Sequence, residues 1–387
     1  MNRSTPFKLK LVLGAVFLSS VSESMISIAF GLKAAAEGQA NLLSALLLAS
    51  LLPQVLLGLW GGKLADTAIR WWWWPLALAF QSLIYCAIAA WTIWPAIILG
   101  TLAVSTATAL VGPVARKLAT HYSTDTQGTG SWLSMIAGLA GVLGLAVGGL
   151  LVGQGLVQAL LLASSLALFC VALLAFAVST RDALVVEARE TKGALLGFRI
   201  LSSPQLLGGA GFLFLVCCVL GTSLDDVVSV FVLTGYLHLN ETVFGLVSGC
   251  WALGIIMGSL LSAKIPAHRP VLPLVASGML MGAGIFSIAW LLPTALGAAG
   301  IYLVAGAGNG IFISLMNSTI MSRVAENQQG RAWAAYGWLV KICLLLGYLA
   351  GGLWGSTVPR ELMLTSGSIV LGAGAFALVI PRLRGRV

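Results

Sequence analysis

Apolar residues in this chain fall in long runs, and charged or turn-forming residues gather in the short breaks between them. A run of about twenty residues crosses the hydrocarbon core of a bilayer at 1.5 Å rise per residue. The runs cover residues 10–32, 41–62, 73–94, 95–119, 131–153 and 155–178, then 206–234, 242–264, 270–292, 294–322, 332–354 and 361–381. They predict an all-α membrane protein of twelve transmembrane helices in two pseudo-symmetric six-helix bundles. The first bundle covers residues 1–178, a polar cytoplasmic linker residues 179–205, and the second bundle residues 206–387. The Trp94-Pro95 and Leu292-Pro293 steps predict tight hairpins, because proline starts a helix at little cost.

The two bundles repeat one another. Gln127-Gly128 opens an apolar run that ends in Gly144-x-x-x-Gly148-Gly149-Leu150, and Gln329-Gly330 opens one that ends in Gly347-x-x-x-Gly351-Gly352-Leu353. Gly58-x-x-x-Gly62 in the second span is echoed by Gly254-x-x-x-Gly258 in the eighth. Internal repeats in an apolar chain are the signature of a transporter with alternating access. In lipid no hydrophobic force drives helices together, so small residues that admit close backbone approach do that work. The six glycines at 144, 148, 149, 347, 351 and 352 read either as packing contacts or as sliding contacts between helices that move.

Composition supports the membrane reading. Hydrophobic residues make up 59% of the chain and charged ones 9%, with mean hydropathy +1.00. Soluble domains carry about 25% charged residues, so this chain cannot coat itself for water. The net charge of +9 follows from topology. With both termini cytoplasmic, every Lys and Arg except Lys33, Lys341 and Arg360 falls on the inner side, as the positive-inside rule requires. The basic residues therefore meet lipid headgroups, and no nucleic-acid partner is expected. The six cysteines lie inside apolar runs without metal-site spacing and are expected to be small core residues, with no disulfides and no metal. Trp71 to Trp74 read as an interfacial anchor.

The loop Gly62-Lys63-Leu64-Ala65-Asp66-Thr67-Ala68-Ile69-Arg70 resembles the loop 2–3 signature of the major facilitator superfamily, G-x-x-x-D-R-x-G-R. Gly62, Asp66 and Arg70 match, whereas Thr67 and Ile69 stand where arginine and glycine are usual. The glycines of the fifth span resemble the family's antiporter signature G-P-x-x-G-G, with Leu145 in place of proline. The resemblance implies the major facilitator fold, a conformational latch at Gly62, Asp66 and Arg70, and spans 1 and 7 lining a central cavity. The region of Pro113 and the short loops look similar to the macrolide-efflux, siderophore-exporter and lysophospholipid-transporter branches.

Nine of the twelve acids lie in loops; Glu23, Asp225 and Asp226 do not. Glu23 lies midway in span 1 and the aspartates in the outer half of span 7. A carboxyl at that depth is costly unless it faces a cavity or a partner, which makes these three the proton-coupling candidates. Adjacent helical residues point about 100° apart, so only one aspartate of the pair is expected to face the cavity. Lys341 is the lone base deep in an apolar run, and it either pairs with Asp225 or Asp226 or receives an anionic group of the substrate. Ser20, Ser27, Gln54, Asn309, Asn317 and Tyr336 are the further candidate substrate contacts.

Together these features predict a proton-coupled exporter, an antiporter by rocking-bundle alternating access, in a bacterial inner membrane. Its substrate would be a small amphipathic or anionic organic molecule such as a drug, siderophore or metabolite, with lysophospholipid movement between leaflets as the alternative. The expected partners are substrate, protons and membrane lipid, in a monomer with no cofactor beyond the proton gradient. No phosphate-binding loop occurs, and the three histidines are scattered, so no enzyme site is expected.

Overall fold

The computed structural model describes residues 5–67, 72–121, 126–178, 194–204, 206–262, 264–265 and 271–379. Among these residues the regular structure is helical, without strands. In chain order the helices are α1 (Thr5–Ala36), α2 (Ala40–Thr67), α3 (Trp73–Ala90), α4 (Trp94–His121), α5 (Thr126–Gly153) and α6 (Val157–Val178). A short α7 (Ala194–Leu201) follows, then α8 (Gly208–Phe231), which runs on as a π-helical turn (Val232–Tyr236). The chain ends with α9 (Glu241–Ser262), α10 (Val271–Leu291), α11 (Ala295–Arg323), α12 (Glu326–Trp354) and α13 (Pro359–Val379). Within the described residues, ten helices are long and apolar enough to cross a membrane, and α4 and α5 contribute shorter apolar stretches. The twelve long helices correspond to the twelve predicted spans; several run a turn or more past the apolar stretch at one end. The expected linker lies mostly outside the described residues, and its described end carries α7 and the turn after it.

The turns follow local chemistry. Pro95 is the second residue of α4, which follows α3 after a three-residue link, and Pro293 stands in the three-residue link between α10 and α11. Thr294 caps α11 by accepting from the Gly297 N–H at 3.4 Å. Gly38 and Gly155 adopt φ of +66° and +73°, the left-handed region that lets a helix end sharply. There Gln39 N–H bonds back to Ala34 and Leu156 N–H to Leu151.

The chain forms two compact units, Met1–Lys33 with Ala45–Arg189, and Ala34–Ser44 with Glu190–Val387. In the first unit α3 packs on α6. Ser82 and Ser165 join them by reciprocal bonds, Ser82 Oγ to the Ser165 carbonyl at 2.7 Å and Ser165 Oγ to the Ser82 carbonyl at 2.8 Å. Phe30, Ile88, Ile97, Leu160, Leu161 and Leu168 fill its core. In the second unit α9 and α11 interlock through glycine. A methyl group at Gly254 or Gly258 would strike the carbonyls of Leu303 or Ala307, and one at Gly306 or Gly310 those of Trp251 or Ile255. The outer faces remain apolar: Leu83, Leu99, Leu166, Leu260, Leu296 and Leu353 are all exposed, as lipid-facing residues are.

The repeat motifs have matching tasks in the two units. Gly144 and Gly148 of α5 seat α1, where an added Cβ would come within 2.5 Å of Ser24 Cβ and Ile28 Cγ2 respectively. Gly347 and Gly351 of α12 seat α8 in the same way, against Ser223 and Val227. Gly149 is buried, and Gly352 faces Ser44. Gln329, from the second copy of the Gln-Gly pair, donates to the carbonyls of Met321 and Val324 at 3.0 Å each and so closes the end of α11.

One expectation needs correction. All six cysteines are free, but only Cys218 and Cys343 are buried; Cys86 and Cys170 are exposed. In lipid an outward-facing thiol costs little, so an apolar run does not separate core from surface.

Candidate functional site

Two ionisable centres emerge, one in each unit. The first surrounds Glu23. Gly144 and Gly148 hold α1 against α5 on the turns that flank Glu23, and α3 supplies Gln81 from another side. Gln81 is 4% exposed. Its amide nitrogen donates to Glu23 Oε1 at 3.1 Å and to the Tyr85 hydroxyl oxygen at 3.0 Å. Tyr85 sits one turn after Gln81 on the same face of α3, as i, i+4 spacing dictates. Because the Tyr85 oxygen accepts from Gln81, its own O–H is left to donate elsewhere.

Glu23 opens onto a cavity of about 270 Å³ inside the first unit. Its wall carries hydroxyl and amide groups from Ser27, Ser50, Gln54, Tyr85, Thr101, Ser105 and Thr108. Phe30, Ile26, Leu46, Leu47 and Val104 form the apolar remainder. Glu23 is the sole charged residue in that lining. A few polar groups in a mainly apolar, concave wall are what an organic ligand requires for orientation.

The second centre lies on α8. Asp225 is buried, 5% exposed, and its Oδ1 has no hydrogen-bond partner among the described residues. Asp226 is exposed and accepts from the Tyr348 hydroxyl of α12 at 3.1 Å. The 100° turn between the two therefore sends one inward and the other outward. Ser223 Oγ donates to the Cys343 carbonyl at 3.1 Å, which fixes α8 and α12 in register.

Of the predicted contacts, Glu23, Ser27 and Gln54 share the first cavity. Ser20 stands about one turn before Glu23, half-buried, and its carbonyl accepts from Ser24 Oγ at 2.9 Å. Asn309, Asn317, Tyr336 and Lys341 belong to the second unit, all half-buried. Tyr336 packs edge-on against Trp333 with centroids 6.1 Å apart. Lys341 lies seven residues before Tyr348 on α12, about 10 Å along the helix axis at 1.5 Å per residue. Asp226 is thus met by a phenol two turns beyond the lysine. Gly62 and Asp66 fall at the end of α2, but their side chains, together with Arg70, lie outside the described residues.

Sequence reasoning passed over Ser50, Gln81, Tyr85, Thr101, Ser105, Thr108 and Tyr348. Gln81 carried a signal, a polar amide in mid-span four residues before a tyrosine. The serines and threonines carried none, since such residues in spans usually bond their own helix, as Thr106 does to the Leu102 carbonyl at 2.7 Å.

The profile of the Major Facilitator Superfamily matches residues 12–348. Among curated proteins none matches the chain in sequence. Solved structures resemble it closely in fold. A variant of the nucleoside transporter NupG superposes with a TM-score of 0.75 at 14% identity, covering 96% of this chain and 98% of its own. A bacterial homologue of the human lysosomal transporter Spinster, inward-facing and occupied, also gives 0.75 at 14% identity, covering 98% and 97%. A bacterial homologue of the iron transporter ferroportin, inward-facing, gives 0.73 at 17% identity, covering 98% and 99%. At such identities the likeness speaks for the fold alone. The family match spans most of the chain, and with the helical architecture it establishes that this multi-pass membrane protein belongs to the Major Facilitator Superfamily of transporters.

Proposed function

We propose that the protein is a proton-coupled exporter of a small organic molecule, an antiporter working by alternating access, with Glu23 as its proton carrier. The observation that carries this reading is a lone carboxyl tethered by Gln81 at the wall of a cavity that carries hydroxyl and amide groups. Protons and substrate then meet in one compartment, and occupancy of the carboxyl by a proton alters what the cavity holds. Differential binding between two openings is all that coupling demands. Asp226, exposed and bonded to Tyr348, is the second proton carrier. The cavity wall favours a substrate with hydroxyl, amide or amine groups. Lys341, a base half-buried within α12, supports the second reading, an anionic or lysophospholipid cargo. Within the family a latch at Gly62, Asp66 and Arg70 would complete the machinery, in a bacterial inner membrane with both termini cytoplasmic.

The test uses everted vesicles with an imposed pH gradient followed by a quenched dye. Ethidium, uridine, citrate and lysophosphatidylethanolamine are added in turn. One of them is expected to dissipate the gradient with wild-type protein and not with Glu23→Gln. Equal dissipation by Glu23→Gln would refute Glu23 as the carrier, and relief by citrate or the lysolipid alone would favour the second reading.

A further inference from the structure

α3 and α6 of the first unit run antiparallel after three chain reversals, and the paired bonds of Ser82 with Ser165 fix their register. Trp72 stands ten residues before Ser82 and Phe176 eleven after Ser165, so both lie at one end of the pair. Between that end and the serine bonds the outer seam opens into a hollow of about 390 Å³. α3 lines it with Trp72, Leu76 and Ala79, and α6 with Phe169, Leu173 and Phe176, each set on one helix face. Each set covers about 10 Å of helix at 1.5 Å per residue. Pro75 and Ala172, both buried, form the floor. The hollow exists because Ala79 and Ala172 are small where the positions around them are bulky.

Leu76, Phe169, Leu173 and Phe176 are exposed. The hollow therefore opens outward, where lipid surrounds a membrane protein, and it shares no lining residue with the Glu23 cavity. The Trp72 indole N–H is the one polar side-chain group among its lining residues. An apolar hollow stays dry and takes an apolar guest, because an unfilled void forfeits dispersion contacts. A hydrocarbon chain lies along such a furrow, whereas a side chain projecting from a neighbouring helix fills only part of its length.

The tryptophan run sets the depth. Trp72 lines the furrow, Trp73 stacks on it with centroids 5.5 Å apart, and Trp74 turns into the core at 6% exposure. Indoles favour the headgroup level, so the Trp72 end of the furrow meets the headgroups and the Ser82 end points into the bilayer. In sequence, the charges nearest that end are basic. Arg70 stands two residues before Trp72 and Arg181 five after Phe176, each nearer the lining than the acids Asp66 and Asp182. A phosphate carried at the head of a hydrocarbon chain complements this arrangement.

We propose that the α3–α6 furrow binds an anionic phospholipid, with one acyl chain lying along the hollow and the phosphate headgroup at the Trp72 end. The site lies on the outer face of the first unit and stands whatever the central cavity carries.

The test is native mass spectrometry of the purified full-length protein, titrated in detergent with dioleoylphosphatidylglycerol or dioleoylphosphatidylcholine. These probes share their chains and differ in headgroup charge. Phosphatidylglycerol is expected to fill one site at a concentration at least about tenfold lower, from about fivefold per basic residue near an anionic headgroup. Ala79→Phe, which fills the furrow, should weaken that binding by about tenfold. Phe169→Ala, which removes a rim on the lipid face and spares the core, should weaken it by a smaller factor. Leu83→Phe, exposed on α3 outside the furrow, should leave it unchanged. Arg70→Gln combined with Arg181→Gln should bring phosphatidylglycerol down to the phosphatidylcholine level. Equal retention of both lipids by the wild type overturns the proposal, as does unchanged binding in both furrow variants. A dimer that Ala79→Phe abolishes, in place of a bound lipid, would assign the furrow to a second copy of this chain and overturn it likewise.

Discussion

Gly144 offers a sharp test of how the Glu23 site is positioned. Replacing it by alanine adds a Cβ 2.5 Å from Ser24 Cβ and 2.8 Å from the Val21 carbonyl oxygen. Carbon pairs settle at about 3.5–4.0 Å, so α1 and α5 must part by roughly 1 Å. Because the carbonyl is backbone, no side-chain rotation relieves the clash. Overpacking of this kind costs about 1–3 kcal/mol, against a helix-propensity gain of about 1 kcal/mol for alanine over glycine. Gly14, earlier in α1, has nothing within 4 Å of the same added atom, so Gly14→Ala keeps only the gain. The two variants should therefore differ by about 1–3 kcal/mol, or roughly 2–4 °C in melting temperature per kcal/mol for a unit of this size. Intrinsic fluorescence from the 13 tryptophans provides the melt. Gly144→Ala should also slow proton flux in the vesicle assay, because the parted helix carries Glu23 away from Gln81. Equal or higher stability of Gly144→Ala relative to Gly14→Ala would refute the view that this glycine sets the helix spacing.

Two further outcomes follow from bonded pairs. In a double-mutant cycle, Ser82→Ala and Ser165→Ala should show a coupling of about 0.6 kcal/mol, up to about 1.7, the range for hydrogen bonds between membrane helices; strictly additive melts would mean the reciprocal bonds contribute nothing. Gln81→Leu keeps the volume but leaves Glu23 and Tyr85 without their shared donor, at a cost of about 1–3 kcal/mol. It should impair proton flux nearly as far as Glu23→Gln, whereas Ser82→Ala, one residue away, should not.

The spans were legible because charges and prolines punctuate the runs. Lys63 and Arg323 fall in breaks between the runs, and Pro95 and Pro293 stand where helices begin. The repeats were legible because glycine spacing survives duplication, so Gly144 and Gly347 pointed to one packing role before any geometry was known. Which face of each helix turns inward was not legible. In water, polarity marks the outer face; in lipid, Leu166 and Leu168 are both apolar although one is exposed and the other buried. Contacts that need the register between helices, such as Tyr348 with Asp226 or Gln81 with Glu23, therefore left no trace in periodicity. The exceptions were ionisable groups, because lipid tolerates them so poorly that Glu23 and Asp225 announced themselves by position alone. The short α7 falls in a stretch whose polarity reads as a linker. It is held through Gly197, which abuts the Arg331 carbonyl.

The glycine interlock of α9 and α11 bears on biosynthesis. The ribosome delivers α10 between them, so the notches of α9 enter the bilayer before the helix that fits them exists. Until α11 emerges, Gly254 and Gly258 present bare backbone to lipid or to chaperones of insertion. A nascent chain halted after α10 should then be held at the translocon or degraded, and completion of α11 becomes the checkpoint at which this half of the protein is released.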